Sequence, residues 1–169
     1  MLRNYHILLS ILIVFAFAFE FHDDLIPLTI DGQQLDHPFI GGLNRPKIQW
    51  LDWDSDSDMD LFILDIDGYL RYMENQGSAT LPDFNLITTS FQNIYCGGWF
   101  YFADFDQDGL LDLMTQNEEF LDNVSFYQNQ NQNLIYQSML STNDNSFVLS
   151  SRVMTPTFSD IDADGDLDF

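Results

Sequence analysis

The sequence predicts an all-β fold assembled from repeated units of about four short antiparallel strands. An aspartate-rich frame recurs three times without gaps, and strand-forming segments follow it in the same order. No segment after residue 22 carries a convincing helical period. Aromatic residues reach 15% of the 169-residue chain, with 16 Phe, and such side chains favour pleated, half-buried surfaces.

The N-terminal element stands apart from this fold. Arg3 precedes an apolar run from Ile7 to Phe19, broken only by Ser10, and Ala16-Phe17-Ala18 supplies a small-x-small pattern. A spanning helix needs about 20 apolar residues, and Glu20, His22, Asp23 and Asp24 stop this run short. Residues 1–18 are therefore expected to be a cleaved signal peptide, which implies a secreted or lumenal destination. An uncleaved N-terminal anchor is the second reading. Residues 19–46 form an N-terminal segment that is a candidate source of strands for a preceding unit.

The repeats divide the remainder into 47–101, 102–155 and 156–169, the last only begun. Their frames, Trp50–Leu61, Phe102–Leu113 and Phe158–Phe169, share the pattern aromatic-x-D-(apolar)-D-x-D-(Gly/Ser)-x-x-D-(apolar). The leading aspartates Asp52, Asp104 and Asp160 lie 52 and then 56 residues apart. After the first frame come strand candidates at 61–64, 69–72 and 84–88, with a turn at 75–77. After the second they fall at 113–114, 124–127 and 134–136, and 128–133 reads as an exposed hairpin loop. Units of this length and strand number have the size of a propeller blade.

The charge is lopsided, with 27 acidic residues against 5 basic and a formal net charge of −22. Such a chain repels phosphate backbones and anionic lipids, which excludes nucleic acid as a partner. Membrane association is left only to an uncleaved N-terminal segment. Disorder is the usual fate of high net charge, but it requires few apolar residues, and here they make up 46%. Fourteen of the 27 acidic residues sit in the three loops. Packed together without a cation, carboxylates raise one another's pKa and oppose folding.

That pattern points to calcium, a hard cation that takes 6–8 oxygen ligands at about 2.3–2.6 Å. A chain curling round it offers side-chain oxygens from positions 1, 3 and 5, turns sharply at 6, and adds a carbonyl at 7 and a carboxylate at 9. The candidate ligands are Asp52, Asp54, Asp56, Asp58 and Asp60 in the first loop, and Asp104, Asp106, Asp108, Leu110 (through its carbonyl) and Asp112 in the second. In the third they are Asp160, Asp162, Asp164, Asp166 and Asp168. Ser57 stands where Gly109 and Gly165 stand, and a β-carbon resists positive φ, so the first site is expected to be the weakest. Magnesium fits less well because it demands octahedral geometry and keeps its water. Zinc and iron lack ligands: Cys96 is the sole cysteine, His6 lies in the leader, and His22 and His37 stand alone. An EF-hand requires Glu at position 12 and flanking helices, whereas that position holds Ile63 and Thr115 between strands.

The repeated frame resembles the FG-GAP or VCBS-type repeat found in the N-terminal β-propeller of integrin α-chains. The stretch Asp67–Ala79 is also similar to the strand and turn between the loops of VCBS-type repeats. The resemblance covers about residues 40–169. It implies blades of four antiparallel strands with calcium in an inter-strand loop, and adhesion, ligand recognition or carbohydrate-associated roles outside the cytoplasm. A closed propeller needs about 4–8 blades, so the expectation is an incomplete propeller, read first as a fragment of a longer protein, with assembly with other chains or an open pairing of the two units as the alternatives. Its partner would be a protein or glycan ligand.

No catalytic residues are expected, since Glu118-Glu119 and Asp23-Asp24 have no partner base or nucleophile and no G-x-S-x-G, H-E-x-x-H or phosphate loop occurs. The alternatives are a purely structural array, or the non-catalytic part of a secreted carbohydrate-active or phospholipase enzyme. Trp53, Trp99 and Tyr101 read as core rather than ligand contacts, Cys96 reads as a buried small hydrophobe, and Asn123-Val124-Ser125 is a glycosylation acceptor pattern.

Overall fold

A computed structural model describes residues 28–34, 42–150, 156–165 and 167–168. The expected signal peptide, together with His6, His22, His37 and Asp166, lies outside the described residues. The chain divides into two compact units, Met1–Ile40 and Gly41–Phe169. In the first, β1 (Thr29–Ile30) and β2 (Gln33–Gln34) pair antiparallel across an Asp31-Gly32 turn, both residues at positive φ. This is the turn geometry whose twist matches that of the flanking strands.

The second unit holds two four-stranded antiparallel sheets, each an up-and-down meander. β3 (Lys47–Leu51), β4 (Asp60–Leu64), β5 (Leu70–Asn75) and β6 (Phe84–Thr88) neighbour one another in chain order. β7 (Phe100–Ala103), β8 (Asp112–Gln116), β9 (Val124–Asn129) and β10 (Leu134–Met139) repeat the arrangement. These are propeller-like blades, and among the described residues no barrel closes and no α-helix occurs. The predicted strand 84–88 coincides with β6, while β7 opens at Phe100, before the predicted start of its repeat. The loop expected at 128–133 narrows to 130–133, because Gln128 and Asn129 complete β9. Asn131 and Gln132 turn there at positive φ.

Period-2 alternation sorts each blade into two faces. Leu51, Phe62, Leu64, Leu70 and Tyr72 of the first blade bury against Phe100, Phe102 and Leu113 of the second. Trp53 sits at the centre, its ring 5.9 Å from Phe62, 5.3 Å from Phe91 and 5.6 Å from Phe102. The opposite face of the second blade packs Met114 and Val124 with Trp99 and with Phe158 of the third repeat. Gln49 links the blades through both ends of its amide: Nε2 donates to the Phe102 carbonyl at 2.7 Å, and the Phe102 N–H donates to Oε1 at 2.9 Å.

The link between blades carries a short 3-10 turn at Phe91–Asn93, and Phe91 enters the core. Gly68, at φ 80, turns β4 into β5 directly against the Tyr95 ring, which leaves no room for a β-carbon. Cys96 is fully buried as expected, and burial pushes its thiol up to about 12. Trp53 and Trp99 are core residues, and Tyr101 is partly buried against Phe158. The glycosylation pattern is a correction. Asn123 is 9% exposed with its Nδ2 against Met139 Sδ, and Ser125 is buried, so the folded chain offers no acceptor there.

Candidate metal centre

All three Asp-rich loops close the same way. The residue before the first Asp pairs with the last Asp: Leu51 with Asp60, Ala103 with Asp112, and Ser159 with Asp168. Loops one and two thus connect the first two strands of their blades, and the third closes through an isolated antiparallel bridge. The flanks of loops one and two are strands, as the exclusion of an EF-hand required.

Inside each loop the first Asp gathers the chain around itself. Its Oδ1 accepts the N–H of position 5 (Asp56 to Asp52 at 3.1 Å, Asp108 to Asp104 at 3.0 Å, Asp164 to Asp160 at 3.2 Å). Its Oδ2 accepts the N–H of position 6, from Ser57 at 3.0 Å, Gly109 at 2.9 Å and Gly165 at 3.2 Å. Position 6 is left-handed throughout, with φ 78 at Ser57, 89 at Gly109 and 97 at Gly165. Ser57 therefore takes the glycine conformation despite its β-carbon. Position 4 is left-handed as well, at Ser55, Gln107 and Ala163, none of them glycine. The sequence carries no signal for that second turn.

The carboxylates converge in two patterns. Oxygens of Asp52, Asp54 and Asp56, and of Asp104, Asp106 and Asp108, lie within 4.8 Å of one another; in the third loop the group is Asp160, Asp162 and Asp168. Two oxygens each about 2.4 Å from one ion lie at most about 4.8 Å apart, so the donor sets fit a hard divalent cation. Positions 1, 3, 5 and 9 each appear in at least one group. Asp164 lies outside the third group, and Leu110, at position 7, donates its N–H to Asp108 at 2.8 Å.

The ninth-position carboxylates have a structural role that the spacing does not disclose. Asp60 Oδ2 accepts the Trp53 N–H at 3.2 Å and the Tyr72 hydroxyl at 3.1 Å, while Oδ1 accepts the Asn75 N–H at 2.8 Å. Asp112 repeats this with Phe105 at 3.2 Å and Asn129 at 2.8 Å, and Asp168 accepts the Ile161 N–H at 2.8 Å. Each one clamps its loop to position 2, and in the two blades it also clamps the end of the third strand.

Crowding shows in the electrostatics. Asp54 is held above the usual carboxylate range by burial, then by the charges of Asp56, Asp60 and Glu74. Asp58 is raised by burial and by Asp56 and Asp60, and its Oδ1 is buried without a hydrogen bond. Asp112 is raised by burial and by Asp106. The loops stand in a row: Gln107 of the second donates to the Gly165 carbonyl of the third at 2.9 Å. A cavity of about 390 Å³ between the first and second is lined by Asp52, Asp54, Gly109, Leu110 and Asn129. Asn129 Oδ1 is likewise buried without a hydrogen bond.

Fold and loops together define the class: an all-β repeat protein whose units each open on an Asp-rich hairpin. The family model described as FG-GAP-like repeat matches residues 52–115, from the first Asp of the first loop through most of β8, so that stretch is similar to an FG-GAP-like repeat. No curated protein and no solved structure matches the chain.

Proposed function

We propose that this chain is a calcium-binding recognition module acting outside the cell, in which the ion rigidifies loops that present a ligand-binding face. The observation that supports it best is the threefold recurrence of three carboxylate oxygens within 4.8 Å, in hairpins closed by the same pairing. A single acidic loop is commonly solvated and nothing more. Three in one frame, with Asp54 and Asp58 of the first loop and Asp112 of the second held above their normal range, favour a cation. Binding to the folded state adds to stability by mass action, about 2.7 kcal/mol per site at a hundredfold excess over Kd.

The extracellular assignment rests on the N-terminal sequence, and weak calcium sites fill at extracellular concentrations. The ligand class proposed is protein or glycan. The module is read as non-catalytic, because its conspicuous carboxylates are engaged in the loops. Calorimetric titration with calcium, paired with thermal melts in chelator, tests the core of this proposal. Two or three sites and a large loss of melting temperature in chelator are expected; melts indifferent to calcium would overturn it. A glycan and protein binding screen with and without chelator separates recognition from a structural array, which would bind nothing saturably.

A further inference from the structure

Asn75 and Asn129 each end the third strand of a blade, yet only one of the two amides is satisfied. Asn75 Oδ1 accepts the N–H of Gly77 at 3.2 Å and of Asp83 at 2.8 Å, because the link 76–83 is long enough to fold back over it. The link 130–133 after β9 is shorter and closes on itself, its Asn133 N–H donating to the Gln130 carbonyl at 3.3 Å. Asn129 Nδ2 donates to the Leu111 carbonyl at 3.1 Å, which fixes the orientation of the amide, and Oδ1 is left buried without a hydrogen bond. The residue is 4% exposed. A bare buried acceptor is costly, and an arriving donor recovers that cost.

Asn129 lines the cavity of about 390 Å³ between the first and second loops, room for far more than a water, which takes about 30 Å³. Asp52, Asp54 and Ser55 form one wall, Asn131 and Gln132 stand beside Asn129, and Trp53 and Leu111 add apolar surface. Among the described residues no basic side chain lines it. The carboxylates and the bare Oδ1 only accept, whereas the amides of Asn131 and Gln132 and the Ser55 hydroxyl both donate and accept. An anion is repelled by Asp52 and Asp54. A guanidinium or ammonium suits the carboxylates but brings no acceptor for the amide N–H groups. An apolar molecule leaves Oδ1 bare. A hydroxyl donates and accepts at once, so a ring carrying several of them matches the polar walls and the apolar surface together.

We propose that the cavity between the first two loops binds a neutral sugar unit, with one of its hydroxyls donating to Asn129 Oδ1. The proposal rests on the reading of this chain as a recognition module, and it selects glycan over protein as the ligand. Asn131 and Gln132 are exposed and stand at the mouth, where they take the remaining hydroxyls.

Calorimetric titration of the full 169-residue chain in calcium tests this, with glucose, galactose, mannose and N-acetylglucosamine as free sugars and as oligosaccharides. Galacturonate oligosaccharides and a tetra-arginine peptide are the anionic and cationic controls. Saturable binding of a neutral saccharide and of neither control is expected, and the tighter of the free and the linked form identifies the source of the ligand. Asn131→Gly and Gln132→Gly delete amides at φ 55 and 64, which glycine adopts freely, so the hairpin is kept. Each should weaken saccharide binding about three- to tenfold and leave calcium affinity unchanged. Asn129→Ala should abolish saccharide binding, with thermal melts checking its folding. No saccharide binding, undiminished binding in the two glycine variants, or a preference for either control would overturn the proposal. Calcium titration of the same protein is a separate readout. A chain that binds calcium but no saccharide overturns this proposal alone, and one that binds saccharide but no calcium overturns only the calcium reading.

Discussion

Asp112 and Asn129 are joined by a hydrogen bond of 2.8 Å from the Asn129 backbone N–H to the Asp112 carboxylate, and Asp60 and Asn75 are joined in the same way at the same length. This bond ties the Asp-rich loop to the far end of the third strand. It makes the ninth-position aspartate a structural clamp before any ion is considered.

Asp112→Ala should therefore destabilise the chain even in chelator. It strips the N–H groups of Phe105 and Asn129 of their acceptor beside a carboxylate that is 0% exposed. Each unsatisfied buried donor costs about 1–3 kcal/mol, so urea denaturation should show a loss of roughly 2–5 kcal/mol. A loss confined to calcium-containing buffer would mean the residue acts through the ion alone.

Ser57→Gly should tighten the first site. Ser57 holds φ 78, a conformation that costs a residue with a β-carbon about 1 kcal/mol and glycine almost nothing. Calorimetry should show up to about fivefold stronger calcium binding at that loop. Asp108→Ala, by contrast, should abolish the second site, since Asp108 is one of its three converging carboxylates. Unchanged affinity after Ser57→Gly would show that the turn never limited binding.

Acid should affect the metal-free chain in two opposite windows. Asp54, Asp58 and Asp112 are raised, so the folded state holds protons that the unfolded state has released, and their contribution to stability falls as pH rises above about 4 through their folded values. Asp65 and Asp67 are lowered, Asp65 chiefly by the Arg45 and Asn44 N–H groups and Asp67 by Arg71. Their contribution is complete above about pH 4 and is lost below it. Melting in chelator should thus rise as the pH is lowered towards about 4 and fall again below it. In calcium the upper limb should reverse, because the ligands must be deprotonated.

Trp53→Ala should cost about 3–5 kcal/mol, because the ring bridges Phe62, Phe91 and Phe102 in the inter-blade core. Trp50→Ala should cost well under half as much in the monomer, since half of that side chain faces solvent. Equal losses would mean that the Trp50 face is already covered.

Cys96 should resist alkylation in the folded chain. Its thiol is fully buried and raised to about 12, so almost no thiolate exists at neutral pH. Labelling that proceeds at the rate of a free peptide thiol would place Cys96 at the surface.

The sequence by itself determined the repeat, the strands and the converging aspartates. Those features are local: alternate carboxylates in a curling loop, and period-2 apolar runs between turns, are written in neighbouring residues. Phe91 was not legible, because a 3-10 turn carries no period and its ring is core only where Trp53 and Tyr72 meet it. The clamp made by Asp60 and Asp112 was not legible either, since it depends on strands ending 15 and 17 residues later coming back to the loop. Trp50 and Phe102 show the division most clearly. They hold the same place in the same frame, and one is half exposed while the other is buried. The frame fixes which face each ring occupies, but only the packing of one blade on the next decides whether that face sees water.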